Sequence, residues 1–389
     1  MESAPAFLRG GFRPFFFLGA SWAVAVLGLW VLAMAGSISL PTAFDPLAWH
    51  RHEMLFGYLG AVIAGFLLTA VPNWTGRLPI AGAALAALVC LWLAARLAML
   101  FSASTGGFLA ALLDVGFLLT LAAVCGREVL VARNRNLPVV GGVLLLALAA
   151  GADHAEALGL MATDGVGWRA GFALILLLVT LIGGRIIPSF TRNWLAKQGQ
   201  AQGLPTQPSR FDMLTIGATA MALAAWAAAA RPAIAAPLLL AAGALQLIRL
   251  GRWKGWSTTA EPLVFILHLA YAWLPLGLLL LGLSLLDPVQ PASAALHALA
   301  AGAMASMTLA VMTRATLGHT GRDLHADGGT TAIYLLVTLG VALRVAAPWL
   351  PFDYLLMIRV SGALWGGAFL LFLALYGPML LGPRPDGKL

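Results

Sequence analysis

Twelve apolar runs, each long enough to cross a bilayer, follow one another along this 389-residue chain and leave little sequence between them. A helix needs about 20 apolar residues to span the hydrocarbon layer. Bounded by Pro, Gly and charge, the runs fall at roughly 16–36, 49–72, 80–101, 107–127, 138–158, 168–190, 211–230, 232–250, 260–284, 291–317, 329–350 and 354–380. Hydrophobic residues make up 61% and charged residues 10% of the chain, and the mean hydropathy is +0.91. Soluble domains carry about a quarter charged residues. The expected fold is therefore an all-α polytopic membrane protein, one transmembrane domain over 1–389, with about twelve helices.

A net charge of +8 would suit a nucleic-acid binder, but the cations stand singly between apolar runs. They read as topology signals instead, because cytoplasmic loops keep Lys and Arg. With the amino terminus inside, seventeen cations fall on that side, and only Arg51, Arg96, Arg169, Arg231, Arg344 and Arg359 on the other. This predicts a bacterial inner-membrane protein with both termini cytoplasmic. The first apolar run, from Phe15 to Gly36, reads as a retained span and not as a removable signal. Cys90 and Cys125 sit apart in apolar runs and support no disulfide, zinc or CxxCH haem motif. Residues 196–209, rich in Gln, Gly and Pro, read as a flexible cytoplasmic linker.

The second, sixth and tenth spans end alike, at ThrAlaValProAsnTrpThrGlyArg from Thr69, ArgIleIleProSerPheThrArgAsn from Arg185 and ArgAlaThrLeuGlyHisThrGlyArg from Arg314. Setting Thr75, Thr191 and Thr320 equivalent aligns Pro72 with Pro188, Arg185 with Arg314, and His52 with His297, with Trp168 at the matching place in the sixth span. The expected layout is three tandem groups of four helices, each giving its second helix to a common centre.

Seven histidines are present, and this topology puts His50, His52, His154 and His297 near the periplasmic face, with His268 deeper. Ionisable groups at membrane depth are costly and usually face the bundle interior. The strongest local motif is TrpHisArgHisGluMetLeuPheGly, from Trp49 to Gly57. In it His50 shares a helix face with Glu53 and Met54, while His52 points elsewhere, so the two histidines should serve different neighbours. Imidazole suits iron, copper and zinc, and copper also accepts the thioether of methionine. His52 and His297, on parallel helices at equivalent depth, are the first choice for the axial pair of one haem. His50, His154 and His268, with Met54 nearby, are candidates for a second metal. Glu53 and Asp153 are candidate proton carriers, and Glu53 is as readily a carboxylate orienting a histidine or favouring the helix start.

At the opposite face Arg185 and Arg314 each lie about one turn inside a span, where a cation needs a propionate, another anion or helix carbonyls. Asp114, in the fourth span, is expected to bond a neighbouring hydroxyl or to relay protons.

Together with GlyGlyArgIleIleProSerPheThrArgAsnTrp from Gly183, HisLeuAlaTyrAlaTrp from His268 and MetThrArgAlaThrLeuGlyHisThrGlyArg from Met312, these blocks resemble the NnrS family of bacterial membrane proteins over nearly the whole chain. The resemblance implies a protein containing haem b and copper and associated with nitric oxide metabolism in denitrifying or nitrosatively stressed bacteria. Nitric oxide and an unknown electron donor are its implied partners, and a nitric oxide reductase-like oxidoreductase is one activity it allows. The layout is also similar to that of the haem-copper oxidase superfamily. The motifs depart from it, since the seventh span lacks an adjacent histidine pair and the sixth has Trp168 where the repeat would place a histidine. Two other classes fit the residues: a haem or copper sensor or handling protein without turnover, and a secondary transporter of a small anion.

Overall fold

The computed structural model describes residues 5–200, 202–205, 208–287 and 289–385, and its secondary structure is helical, with no strand among the described residues. Twelve long helices follow in chain order: α1 Phe12–Met34, α2 Pro46–Thr75, α3 Gly82–Leu100, α4 Gly107–Val131, α5 Leu137–Ala157 and α6 Val166–Lys197, then α7 Arg210–Ala227, α8 Pro232–Gly251, α9 Pro262–Leu286, α10 Ala292–His319, α11 Gly328–Ala346 and α12 Tyr354–Leu381. Eleven are long and apolar enough to cross a membrane. The other is α7, which opens with Arg210 and Asp212 and carries Thr215 and Thr219. Leu112, Leu148, Leu335 and Leu370 stand more than half exposed on helix faces, as lipid contact allows.

The ends differ from the sequence expectation where a polar residue finds a partner. Helix α1 begins before residue 16 because Arg13 and Pro14 belong to its first turn, where proline is tolerated. The Arg13 guanidinium donates to the carbonyls of Met379, Leu380 and Gly382 at the end of α12, at 3.2, 3.0 and 2.6 Å. Helix α6 runs past residue 190 to Lys197, through Pro188. The expected linker at 196–209 thus loses its first two residues to helix, while Ser209 caps α7 through reciprocal bonds with Asp212. Ala201, Thr206 and Gln207 of that linker lie outside the described residues.

Caps explain the other starts. Asp45 accepts from the amides of Leu47 and Ala48, with Pro46 in the first turn of α2. Glu261 does the same for α9 through the Leu263 amide, and also accepts from the Ala326 amide. Asp327 caps α11, and the Thr330 amide holds its carboxyl below the usual range.

The chain divides into two compact units. One takes the residues up to Leu174, then 315–323 and those from Phe372 on; the other holds 175–314 and 324–371. The helices most enclosed by protein are α2 and α10. Both contain a wide π-helical segment, Glu53–Tyr58 in α2 and Ala298–Ser306 in α10, and each segment starts directly after the histidine that the repeat makes equivalent, His52 or His297. Such segments recur at functional sites because they redirect side chains within a continuous helix.

Candidate metal centre

The π-helical turn after His52 places Glu53, Leu55, Phe56, Gly57 and Tyr58 in the interior of the first unit, a run too continuous for one face of a regular α-helix. Around it four helices contribute ionisable side chains. Helix α2 gives Arg51, His52 and Glu53, α3 gives Arg96, α4 gives Asp114, and α5 gives Asp153 and His154. All but Arg51 are buried.

His52 is the hub. Its Nδ1 lies 2.8 Å from Asp153 Oδ2, and its Nε2 lies 3.0 Å from Asp114 Oδ2. The same Asp114 oxygen lies 3.2 Å from His154 Nε2. His52, His154 and Asp114 offer one ligand atom each, two ring nitrogens and a carboxylate oxygen, all within 4.8 Å of one another. Ligands at roughly 2.0–2.2 Å from one ion are themselves about 3 Å apart, so two of the separations already suit a shared metal. A proton and a metal ion are alternatives at Nε2, because each takes the same lone pair. Asp153 grips the far nitrogen of His52, the support that fixes a ligating imidazole in orientation and tautomer.

Behind this trio stands a second layer. Arg96 donates from Nη1 to both oxygens of Glu53 at 2.8 Å and from Nη2 to Asp114 Oδ1. Trp22 Nε1 donates to Glu53 Oε2 at 2.5 Å. At the half-exposed edge Arg51 reaches Asp153 at 3.5 Å and lies over the Trp168 ring at 4.7 Å. Gly57 makes room for this packing, since a Cβ there would come within 2.6 Å of both Arg96 Nη1 and Glu53 Oε2. Gly57→Ala is expected to lower thermal stability, measured by melting in detergent; an unchanged melting temperature would show that the arginine has slack.

These positions redistribute the candidates read from sequence. His52 and His154, assigned to separate metals, share one carboxylate. Asp114 meets a guanidinium and two imidazoles, not a hydroxyl. Asp153 orients His52 and pairs with Arg51. Glu53 is held by Arg96 and Trp22. His50 faces a different neighbour from His52, as helix geometry requires, and stacks on Trp30 at 5.0 Å between ring centroids. Met54 packs in an apolar cluster with Trp49, Val26 and Trp22.

The remaining candidates belong to the second unit. Thr191 Oγ1 donates to the Ile187 carbonyl, so His268 Nε2 donates to Thr191 Oγ1, at 2.8 Å, while Gly255 presses against the ring. His297 donates from Nδ1 to the Ser293 carbonyl at 2.7 Å, and Arg344 donates to Ser293 Oγ at 2.9 Å. Arg314 lies 4.0 Å over the Phe190 ring. Arg185 is exposed on α6.

Across residues 6–384 the chain matches the family model described as NnrS protein. The protein belongs to the NnrS family. NnrS proteins are membrane proteins linked to the nitric oxide response, and this chain has their polytopic character. No protein of curated function matches it.

Arg96 and Asp114 are the members of this buried cluster least legible in the sequence. Each stands alone in an apolar run, and each reads singly as an anchor or a hydroxyl partner. Their signal was joint, an arginine and an aspartate in consecutive spans near the same membrane depth, where neither is tolerated without the other.

Proposed function

We propose that this NnrS protein is a haem- and copper-containing membrane protein that binds nitric oxide, with copper held by His52, Asp114 and His154 and haem b ligated through His297. The observation that carries the reading is the convergence of two imidazoles and one carboxylate within 4.8 Å in a buried setting. Their chemistry fits the implied metal, since imidazole is a good copper ligand and the carboxylate adds charge compensation.

The same geometry argues against a macrocycle at His52. Both ring nitrogens face carboxylates, and the rings of His154 and Phe56 lie 4.5 and 4.8 Å away, centroid to centroid. A haem there would have to displace Asp114. His297 suits that role better, because its Nδ1 bond to a backbone carbonyl directs the lone pair to Nε2, as in other ligating histidines.

Copper bound in the first unit would supply an open coordination position for a small neutral gas. The protein's own groups do the rest. His52 and His154 offer nitrogen, Asp114 offers oxygen, Asp153 keeps His52 in register, and the surrounding helices exclude water. Nitric oxide is apolar enough to arrive through lipid and needs no polar channel. Reduction of the gas would require electrons from a partner donor and protons. Arg51, at the partly exposed edge and paired with Asp153, is the group of the cluster nearest such a supply.

The test is metal analysis, a pyridine haemochrome assay and a nitric oxide titration on purified protein. About one copper per chain, a b-type spectrum and a spectral shift with nitric oxide are expected. His154→Ala should lose copper and keep haem, His297→Ala the reverse, and His50→Ala should lose neither. Fully loaded protein that neither shifts with nitric oxide nor consumes it when reduced would overturn the reading.

A further inference from the structure

Three carboxylates and two guanidiniums meet around the histidines of the first unit: Glu53, Asp114 and Asp153 against Arg51 and Arg96. With neutral imidazoles the cluster carries one surplus negative charge. In a low-dielectric interior an uncompensated charge is expensive, so the surplus is met either by a second proton on His52, whose two ring nitrogens both face carboxylates, or by a metal ion that takes that proton's place where the ligand atoms converge.

Arg96 is the group that most threatens that arrangement. Its guanidinium is buried, and it touches the very carboxylate that would face the metal. Left uncompensated, it would repel a cation and draw Asp114 away from the histidines. Glu53 prevents both. Its two oxygens take Arg96 Nη1 at 2.8 Å, and Trp22 pins one of them, so the arginine reaches Asp114 through Nη2 alone and at Oδ1 alone. Oδ2 is then left to face His52 and His154. Glu53 itself touches neither histidine ligand atom among its described bonds.

We infer that Glu53 and Arg96 are positioning residues of the metal centre: Arg96 turns Asp114 Oδ2 toward the histidines, and Glu53 holds Arg96 and cancels its charge. This rests on the metal reading given above and assigns Glu53 a role other than proton carrier or ligand. It also explains why an acidic residue follows His52 directly at the start of the π-helical segment. There the widened turn keeps His52 and Glu53 both buried, one toward Asp114 and the other toward Arg96.

The test uses full-length protein in detergent, stripped with a chelator and titrated with Cu(II) against a competing ligand of known affinity, followed by a redox titration of the copper signal. Glu53→Gln keeps the shape and an acceptor for Arg96 while removing the charge. It is expected to weaken copper binding by roughly 10–100-fold, the usual cost of losing such support. It should also raise the reduction potential, because removing a negative charge favours the less positive copper state. Arg96→Lys keeps the charge and loses the planar fork, so it should weaken binding at least about tenfold and leave the potential in place.

A wild-type protein that takes up no copper overturns both the metal reading and this inference. Wild-type binding with an unaltered affinity and potential in Glu53→Gln overturns this inference alone. Should that variant not fold, Arg96→Lys with wild-type affinity does the same.

Discussion

Replacing Asp114 by alanine is expected to abolish copper retention and to destabilise the protein by about 3–5 kcal/mol, the cost of breaking a buried ion pair from one side. Asp114 is fully buried and meets Arg96, His52 and His154 at once. Alanine would leave the Arg96 guanidinium with Glu53 as its sole carboxylate and would remove the one oxygen both imidazoles share. The two losses separate by design. A triple replacement, Glu53→Gln with Arg96→Met and Asp114→Leu, removes the charges together and fills the space with apolar atoms, and such exchanges are often neutral or stabilising. It should recover most of the melting temperature lost in Asp114→Ala while binding no copper. If Asp114→Ala keeps both its copper and its melting temperature, Asp114 is neither ligand nor anchor. If the triple variant stays as unstable as the single one, the destabilisation comes from packing and not from the polar groups that lose Asp114.

The helical architecture was legible because its cause is one-dimensional. A run of apolar residues bounded by Pro, Gly or charge crosses a bilayer whatever its neighbours do, so the order of the twelve helices follows from the runs. Boundaries slipped where a partner distant in sequence decided them, as at Arg13, whose bonds to the end of α12 extend α1 toward the amino terminus. The site was legible by halves. Helical periodicity separated His50 from His52, and the two face Trp30 and Asp114, respectively. It could not show that α4 and α5 bring Asp114 and His154 to His52, because which helices adjoin is a property of packing. The widened turn at Glu53–Tyr58 escaped for a related reason. A regular helix predicts one buried face, and this stretch buries five of its six residues.

Gly184→Ala is the substitution expected to do most harm in the second unit, by a mechanism independent of any metal. Arg249 is buried on α8, where Nε donates to Asp212 Oδ1 at 2.8 Å and Nη1 donates to the Thr180 carbonyl and to Tyr271 Oη, both at 3.1 Å. The phenol in turn donates a hydrogen bond to Gln246 Oε1 at 2.7 Å, and Gln246 Nε2 donates to Thr219 Oγ1. Gly184 is the position on α6 where this guanidinium rests, and a Cβ there would overlap Nη2 and crowd Cζ. The arginine cannot move aside without giving up Asp212, and an unpaired buried charge again costs about 3–5 kcal/mol. The expected result is a large fall in the detergent melting temperature, with copper still retained by whatever protein stays folded, since His52, Asp114 and His154 all lie in the other unit. Gly184→Ala combined with Arg249→Leu and Asp212→Leu should restore part of the loss by removing both charges and the bulk that the new methyl meets. Wild-type melting in Gly184→Ala would show that α6 can yield at this point and that the contact has slack. The glycine stands in the block that begins GlyGlyArgIleIlePro, and Tyr271 stands in HisLeuAlaTyrAlaTrp, so two of the sequence blocks singled out above meet at one buried arginine that neither contains.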